Sequence, residues 1–392
     1  MKKQILLGTT ALIAASVVAG GVAQAAEEPI TAGVGGYFRS AVGMISQDDG
    51  DGELADNTNS MALGNDIEIS VSGSTTLDNG ITAGFNAMIE GNNGGNTLDE
   101  RHVFFRGSFG QIQIGQTESA RQQLTNFSPS GNYNFGVNTP FFIFAANGAA
   151  FLNVRTFNDE IGDEDNLKLI YFTPTFNGFR IGASYAPDDA ENGSYGGNAT
   201  NATQNTATLD GAGAITAGTA ATALQNNSSV AAEFSHNFGE FNLRLMAGYE
   251  MYVLENCGAG ANTQACEDNP DSMQFGGTVS FGEFSIGGGY LESEQIGHNA
   301  AGQSRDREDM DLGIAWWSGP IGVGLQYGQA ESDQADSTTD SLKIFELNAT
   351  YVLGPGIDVG AAIAKGEFDD GTPGAGLDND YTEFKMSAAL NF

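Results

Sequence analysis

The sequence predicts an all-β fold, a sixteen-stranded antiparallel β-barrel that spans a membrane. Three observations support this prediction. Apolar and polar residues alternate with a period of two, seven tight glycine-containing turns alternate with eight long polar segments, and aromatic residues cluster where the alternating stretches end. Transmembrane barrels have this layout, with short turns on one side of the membrane and long loops on the other.

The alternation is clear in four stretches. In 241–252 most odd positions are apolar, whereas Asn242, Arg244 and Glu250 occupy even positions. The stretches 66–72, 81–90 and 383–392 alternate in the same way. A strand with one apolar and one polar face produces this pattern.

The connections between these stretches fall into two kinds. Segments 108–112, 237–241 and 280–284 are near copies of one tight turn, and four further turns also contain glycine. Seven short and eight long connections would join sixteen strands. The long polar segments are approximately 47–63, 91–99, 117–165, 187–228, 254–271, 293–307, 330–340 and 366–379.

Aromatic residues lie at both ends of the predicted strands. Phe109, Phe238 and Phe281 are beside short turns, and Tyr185 and Tyr249 are at the ends near long loops. Two such bands are typical of the two interfaces of a membrane barrel. A soluble β-sandwich is the alternative, but it does not require apolar and aromatic residues on the outside of every strand.

Residues 1–25 have the features of a cleaved export signal. Lys2 and Lys3 precede the apolar or small stretch 5–22, and Ala23-Gln24-Ala25 matches a cleavage site. A retained membrane helix is the alternative. No Pro-rich or charged linker divides residues 26–392, so we expect them to form one barrel domain.

The composition excludes several classes of function. A net charge of −34 argues against nucleic-acid binding, which requires clustered Lys and Arg. The 25 Phe and 11 Tyr argue against a disordered acidic chain. Only three histidines occur, on separate predicted elements, and the sequence contains no common hydrolase motif, so we expect no enzyme activity.

Two cysteines, Cys257 and Cys266, lie in one Gly- and Asn-rich segment. In an exported protein this spacing favours a disulfide that closes a loop, with two free thiols as the alternative. Neither histidine nor a further cysteine lies near them, so a zinc site is not expected. We predict no cofactor and no tightly bound metal.

Several motifs resemble those of Gram-negative porins from alphaproteobacteria. They are Gly73-Ser74-Thr75-Thr76-Leu77-Asp78-Asn79-Gly80, the segment 108–115, and Phe392 at the end of an alternating strand. The resemblance covers the whole chain after the signal, mostly as pattern. It implies a homotrimer in the bacterial outer membrane, in contact with lipid and lipopolysaccharide. It also implies that Phe392 is a C-terminal signal for the barrel-assembly machinery.

The resemblance further implies that the third long loop, residues 117–165, folds into the barrel and narrows it. An apolar run from Pro140 to Phe144 agrees with burial of this loop, although it could instead pack on a neighbour or on another loop. Acidic surface loops such as 48–53 could bind divalent cations loosely and bridge lipopolysaccharide phosphates; the alternative is a solvated acidic loop.

The alternation assigns charged residues to the lumen. A basic wall of the constriction is predicted from Arg39, Arg106, Lys168, Arg244 and Lys385, with Arg39 and Lys385 on the first and last strands. His102 and Arg180 also face inward. The opposing acidic group at the end of the third loop is Asp159, Glu160, Asp163, Glu164 and Asp165. Opposed charges would create a transverse field, unless each is solvated or pairs with a neighbour.

These assignments predict a water-filled channel for passive diffusion of small hydrophilic solutes and ions. Inward-facing acids outnumber the bases, so we expect a mild preference for cations. A substrate-specific channel and a plugged structural or adhesive barrel are the alternatives on the same fold. The predicted inward-facing acids are Asp66, Glu68, Glu90, Glu233, Glu250, Asp309, Asp311, Glu346, Asp358 and Glu383.

Overall fold

A computed structural model shows a closed barrel of sixteen antiparallel strands. Each strand pairs with the next barrel strand along the chain, and the last pairs with the first, so the predicted architecture is confirmed. The structure describes residues 30–47, 59–91, 98–138, 142–145, 154–156, 166–188, 208–209, 215–216, 223–255, 269–296, 305–333, 338–371 and 378–392.

The first seven barrel strands precede a separate two-stranded sheet, and nine more follow it. The strands are β1 Thr31–Gln47, β2 Met61–Thr76, β3 Thr82–Glu90, β4 Arg101–Gly107, β5 Gly110–Gln116, β6 Leu167–Phe172, β7 Phe179–Asp188, the short pair β8 Thr208–Leu209 and β9 Ile215–Thr216, then β10 Ala223–Asn237, β11 Phe241–Glu255, β12 Asp271–Phe281, β13 Phe284–Ile296, β14 Arg305–Ser318, β15 Ile321–Asp333, β16 Thr339–Gly354, β17 Ile357–Asp369 and β18 Asn379–Asn391.

Several strands extend beyond their predicted ends. The sequence predicts strands over 64–73 and 229–236, whereas β2 covers Met61–Thr76 and β10 covers Ala223–Asn237. The additional residues of β10 are mostly small or polar, so they add little to an apolar alternation, yet their backbones continue the hydrogen-bonded ladder.

The barrel closes where β1 meets β18. Gly43 lies opposite Lys385 in this pairing, and the backbones of Gly36 and Phe392 exchange two hydrogen bonds of 3.0 Å. The C-terminal residue therefore completes the ladder at the short-turn end of the seam. The predicted pairing of the first and last strands is confirmed.

The short turns require glycine for a steric reason. Gly239 and Gly282 have φ angles of 90° and 56°, a region that residues with a side chain rarely adopt. Both lie in the repeated turn motif. The need for this backbone conformation explains why glycine recurs at the same place in each copy of the motif.

The two faces of the barrel wall differ sharply. Large apolar side chains on one alternating set are exposed, including Leu63, Leu169 and Phe345, as expected of a surface that contacts lipid. The other set is largely polar and is buried against the third loop inside the barrel. Within the described residues, no helix is long and apolar enough to cross a membrane.

Candidate functional site

The third loop enters the barrel through a short helix, α1, at Ala120–Gln123. Ser119 caps this helix, because its hydroxyl accepts from the Gln122 N–H while the Gln122 side chain accepts from the Ser119 N–H. Arg121 is fully buried and donates to Glu250 of β11 at 2.9 Å and to Gln274 of β12 at 3.0 Å. The helix is thus fixed to the inner wall by a buried ion pair.

Asp311 on β14 holds the outgoing and returning parts of the third loop together. Its carboxylate accepts from the Ser128 N–H at 3.0 Å, the Asn138 amide at 2.7 Å and the Thr156 hydroxyl at 2.6 Å. The Gly289 N–H of the neighbouring strand also donates to it at 2.6 Å. Four donors around one buried carboxylate make this acid an anchor rather than a free pore charge.

The loop then crosses strands β15 to β18. Asn348 of β16 accepts from the Gly131 N–H at 3.0 Å, and Asn134 donates to Asp358 of β17 at 3.1 Å. Trp317 stacks on Tyr133, with ring centroids 4.7 Å apart, and donates to the Ser130 carbonyl. These contacts with the inner wall confirm that the described part of the third loop folds into the barrel.

The apolar run of the loop packs where the barrel closes. The ring of Phe142 lies against Gly64 of β2, and that of Phe144 lies against Gly43 of β1. The backbone N–H groups of Phe144 and Ala145 donate to Glu383 of β18, the first at 2.7 Å. The expected burial of this run is confirmed for the residues that the structure describes.

Inward-facing glycines make room for the loop along this path. A Cβ added at Gly313 would lie 2.7 Å from the carbonyl oxygen of Pro129, and one at Gly328 would lie 2.8 Å from the Val154 side chain. We call this set the glycine track; its members are Gly43, Gly64, Gly248, Gly276, Gly313, Gly328 and Gly360. Alternation alone does not reveal it, although each member is at an inward position of its strand.

Arg39 and Lys385 face inward and are buried, as their positions predicted. Arg39 pairs with Asp66 at 2.6 Å, and its guanidinium lies 3.9 Å from the centre of the Tyr37 ring. Lys385 lies between two carboxylates, 2.8 Å from Glu346 and 3.6 Å from Glu383. Both bases are therefore locally compensated by acids: Arg39 by one on the neighbouring strand β2, and Lys385 by one on β16 and one on its own strand β18.

The other predicted bases occupy three different environments. Arg244 pairs with Glu233 at 2.7 Å and also donates to the carbonyl of Leu124 in the third loop. Lys168 is buried and donates to the Thr117 carbonyl at 2.7 Å, at the root of the loop. Arg106 is exposed beside a short turn, and its guanidinium lies 5.8 Å from the centre of the Phe104 ring. The five bases do not meet at one point.

Two buried arginines were not predicted. Arg121 lies in the third loop, where no periodicity assigns a face. Arg307 of β14 pairs with Asp309 at 2.6 Å, two residues further along the same strand. The inward direction of Arg307 was predictable from the sequence, because Arg307 is at an odd position of the strand, like the inward-facing Asp309 and Asp311.

Two inward-facing acids on β2 and β3 remain partly accessible. Glu68 of β2 lies directly opposite Glu90 of β3, and both are partly exposed. Glu100 precedes β4 at the same end of the barrel and is buried, and burial raises its pKa to about 7. This stretch of wall is a candidate lining of the water-filled path, with more acids than bases.

Most of the remaining predicted site residues lie outside the part of the chain that the structure describes. The acidic group Asp159, Glu160, Asp163, Glu164 and Asp165 and the pair Cys257 and Cys266 lie outside the described residues, as do residues 1–25. The Phe392 side chain is exposed on the lipid face. Within the ranges that the structure describes, no cluster of three or more His, Cys, Asp or Glu is arranged to hold a metal ion.

One family model matches most of the chain. The family model for Gram-negative porins matches residues 8–371. No curated protein sequence matches the chain.

Solved structures with the same architecture share little sequence. The anion-selective porin from Comamonas acidovorans has a TM-score of 0.58 and 16% identity, over 93% of this chain and 100% of that one. The outer membrane channel DcaP of Acinetobacter baumannii has a TM-score of 0.60 and 12% identity, over 93% and 97%. OmpT of Vibrio cholerae, in its trimer form, has a TM-score of 0.57 and 11% identity, over 93% and 100%. At these identities the similarity shows the fold.

Proposed function

This chain belongs to the Gram-negative porin family of outer-membrane diffusion channels, and from that premise we propose that it forms a water-filled pore that prefers cations over anions. The pore admits small hydrophilic solutes and ions without chemical conversion. The sign of selectivity is a property of this chain's own charges, because a similar barrel from Comamonas acidovorans is an anion-selective porin.

The observation behind the cation preference is the pairing of the inward-facing bases. Arg39, Arg244 and Lys385 each lie within 4 Å of at least one carboxylate, and Lys385 has two. Compensated bases attract anions weakly, since the field of each pair falls off quickly. The acids of β2 and β3 then determine the potential along the accessible wall.

The experiment is a reversal-potential measurement in a salt gradient on the Glu68→Gln, Glu90→Gln double variant. We expect cation selectivity in the wild type and a permeability ratio closer to one in the variant. The matched control is Glu308→Gln, Glu331→Gln, which removes the same charge from the outward face of β14 and β15. Anion selectivity of the wild type, or an equal effect of both double variants, would reject the proposal.

We also propose that three chains associate through the wall formed by β4, β5 and β6. These strands have 7, 7 and 6 residues. A six-residue strand tilted by about 45° covers about 14 Å of membrane, less than the apolar band of about 25 Å. Exposed apolar residues such as Val103, Ile114 and Leu169 are therefore better covered by another chain than by lipid.

A pair of substitutions tests this interface. Leu169→Lys on β6 should separate trimers into monomers in detergent, because it places a charge in the apolar contact. Leu325→Lys on β15 is the matched control, since the two leucines are 53% and 52% exposed and lie on roughly opposite walls. Light scattering after size-exclusion chromatography reports the mass. Trimers that survive Leu169→Lys would place the interface elsewhere.

The exposed position of Phe392 supports the proposal of a second partner, the barrel-assembly machinery. Its ring is 67% exposed on the lipid face while its backbone completes the seam. We propose that the barrel-assembly machinery recognises this terminal aromatic residue, so that Phe392→Ala lowers the yield of inserted protein without altering the pore of the chains that do insert.

A further inference from the structure

The outward face of β16 and β17 carries an unusual pair of bases. Lys343 and Lys365 both point away from the lumen, on adjacent strands, and the chain has only 15 Lys and Arg in total. The other described lysines, Lys168 and Lys385, are buried inside the barrel. A chain with a net charge of −34 thus places two of its few cations side by side on the membrane-facing surface.

The two lysines border a groove of about 460 Å³. Its remaining lining is Leu312, Tyr327, Phe345 and Glu367, from four successive strands. The rings of Tyr327 and Phe345 are in contact, with centroids 4.7 Å apart. The groove is therefore apolar at its base and cationic on one border.

The height of the groove in the membrane matches a headgroup region. Lys343 lies about 26 Å above the short turn that follows β16, and Lys365 lies about 19 Å above the turn before β17, for a tilt of about 45°. An apolar band of about 25 Å ends between these heights, and lysine side chains extend toward the interface. Towards the periplasm the outward face continues with the apolar residues Leu347 and Ile363, which are exposed.

We propose that this groove binds a phosphorylated lipid of the outer leaflet, with a headgroup phosphate beside Lys343 and Lys365 and acyl chains along the apolar face below. Lys365 pairs with Glu367 at 3.2 Å, and both side chains are more than half exposed, so the phosphate competes with a weak ion pair. Lys343 forms no ion pair with any residue in the described part of the chain. The two ammonium groups together complement a phosphate monoester.

A second copy of the chain is the competing occupant. Strands β16 and β17 lie roughly across the barrel from the short strands β4 to β6, which we assign to the trimer contact. The groove therefore faces lipid in the trimer. This inference rests on the outer-membrane location and on the proposed trimer contact, and not on the ion selectivity of the pore.

The test is native mass spectrometry of the detergent-extracted protein with added bisphosphorylated lipid A. We expect the Lys343→Gln, Lys365→Gln variant to bind about 10- to 30-fold more weakly than the wild type, at about 1 kcal/mol for each lysine near an anionic surface. Asp271→Asn is the control, because Asp271 is an outward charged residue on β12, outside both the groove and the strands assigned to the trimer contact. It should leave binding unchanged.

Further arms distinguish the alternatives. Lipid A without its phosphates should bind the wild type as weakly as the double variant binds the intact lipid, and millimolar inorganic phosphate should not displace the lipid. If the double variant does not fold, the test is the difference in affinity of the wild-type protein for lipid A with and without its phosphates. Equal binding of both lipids, equal binding by wild type and variant, or loss of the trimer in the variant would overturn the proposal.

Discussion

Individual buried carboxylates of the barrel wall anchor the third loop to the inner face of the barrel. Alternation alone assigned Glu250, Asp311 and Glu383 to the lumen, and the structure confirms this face for all three. What alternation does not give is their partners, because Arg121, Ser128 and Phe144 lie in a loop without periodicity. These contacts join residues more than a hundred positions apart, so the sequence pattern predicted the face of each acid and not its role.

Glu100 makes the root of the third loop sensitive to pH. Its carboxylate accepts from the Thr117 hydroxyl at 3.0 Å, and burial raises its pKa from 4.5 to about 7. The folded protein therefore holds a proton here that the unfolded chain releases above about pH 4.5. The stabilisation is complete below that pH and is lost as the pH rises through about 7.

Thermal denaturation of the wild type and of Glu100→Gln at pH 5 and pH 8 checks this expectation. The wild type should lose stability relative to Glu100→Gln between the two pH values, because the amide cannot ionise. Glu308→Gln on the lipid face is the control and should move in parallel with the wild type. A constant difference between wild type and Glu100→Gln would contradict the raised pKa.

At the level of elements, the strands were predictable and the path of the loop was not. Strand number, seam and short turns follow from period-two alternation and from turns that need glycine at positive φ. The chain has 55 glycines, and those at inward-facing positions of the strands include the glycine track. Inward-facing glycines therefore mark the strands against which the third loop packs.

Adjacent glycines on β12 test the glycine track. Gly276 faces inward, where an added Cβ would lie 2.8 Å from the carbonyl carbon of Asn126, whereas Gly277 faces outward and would meet only the end of the Leu245 side chain at 3.0 Å. Gly276→Ala should lower the free energy of unfolding by about 1–3 kcal/mol, the usual cost of overpacking.

Gly277→Ala should change stability much less, because the Leu245 side chain can move aside. Urea unfolding followed by tryptophan fluorescence compares the two variants. Equal destabilisation would mean that the inward face of β12 is no more crowded than the outward face, and the glycine track would lose its support.

For the whole molecule, the distribution of charge matters more than its sum. The excess of inward-facing acids over bases predicted a mild cation preference, but many inward acids are anchors for the third loop or partners of buried bases. Among the described inward-facing acids, Glu68 and Glu90 on the wall of β2 and β3 remain partly exposed. The sequence could not separate the two groups, because the separation depends on where the third loop lies.

The most direct test of the central claim is the conductance of the purified protein in a planar lipid bilayer. An open trimeric pore predicts large ohmic conductance steps that arrive in groups of three, with a reversal potential of the sign expected for cations in a salt gradient. Protein that is demonstrably folded and inserted but conducts no current would contradict the account and indicate a barrel closed by its own third loop.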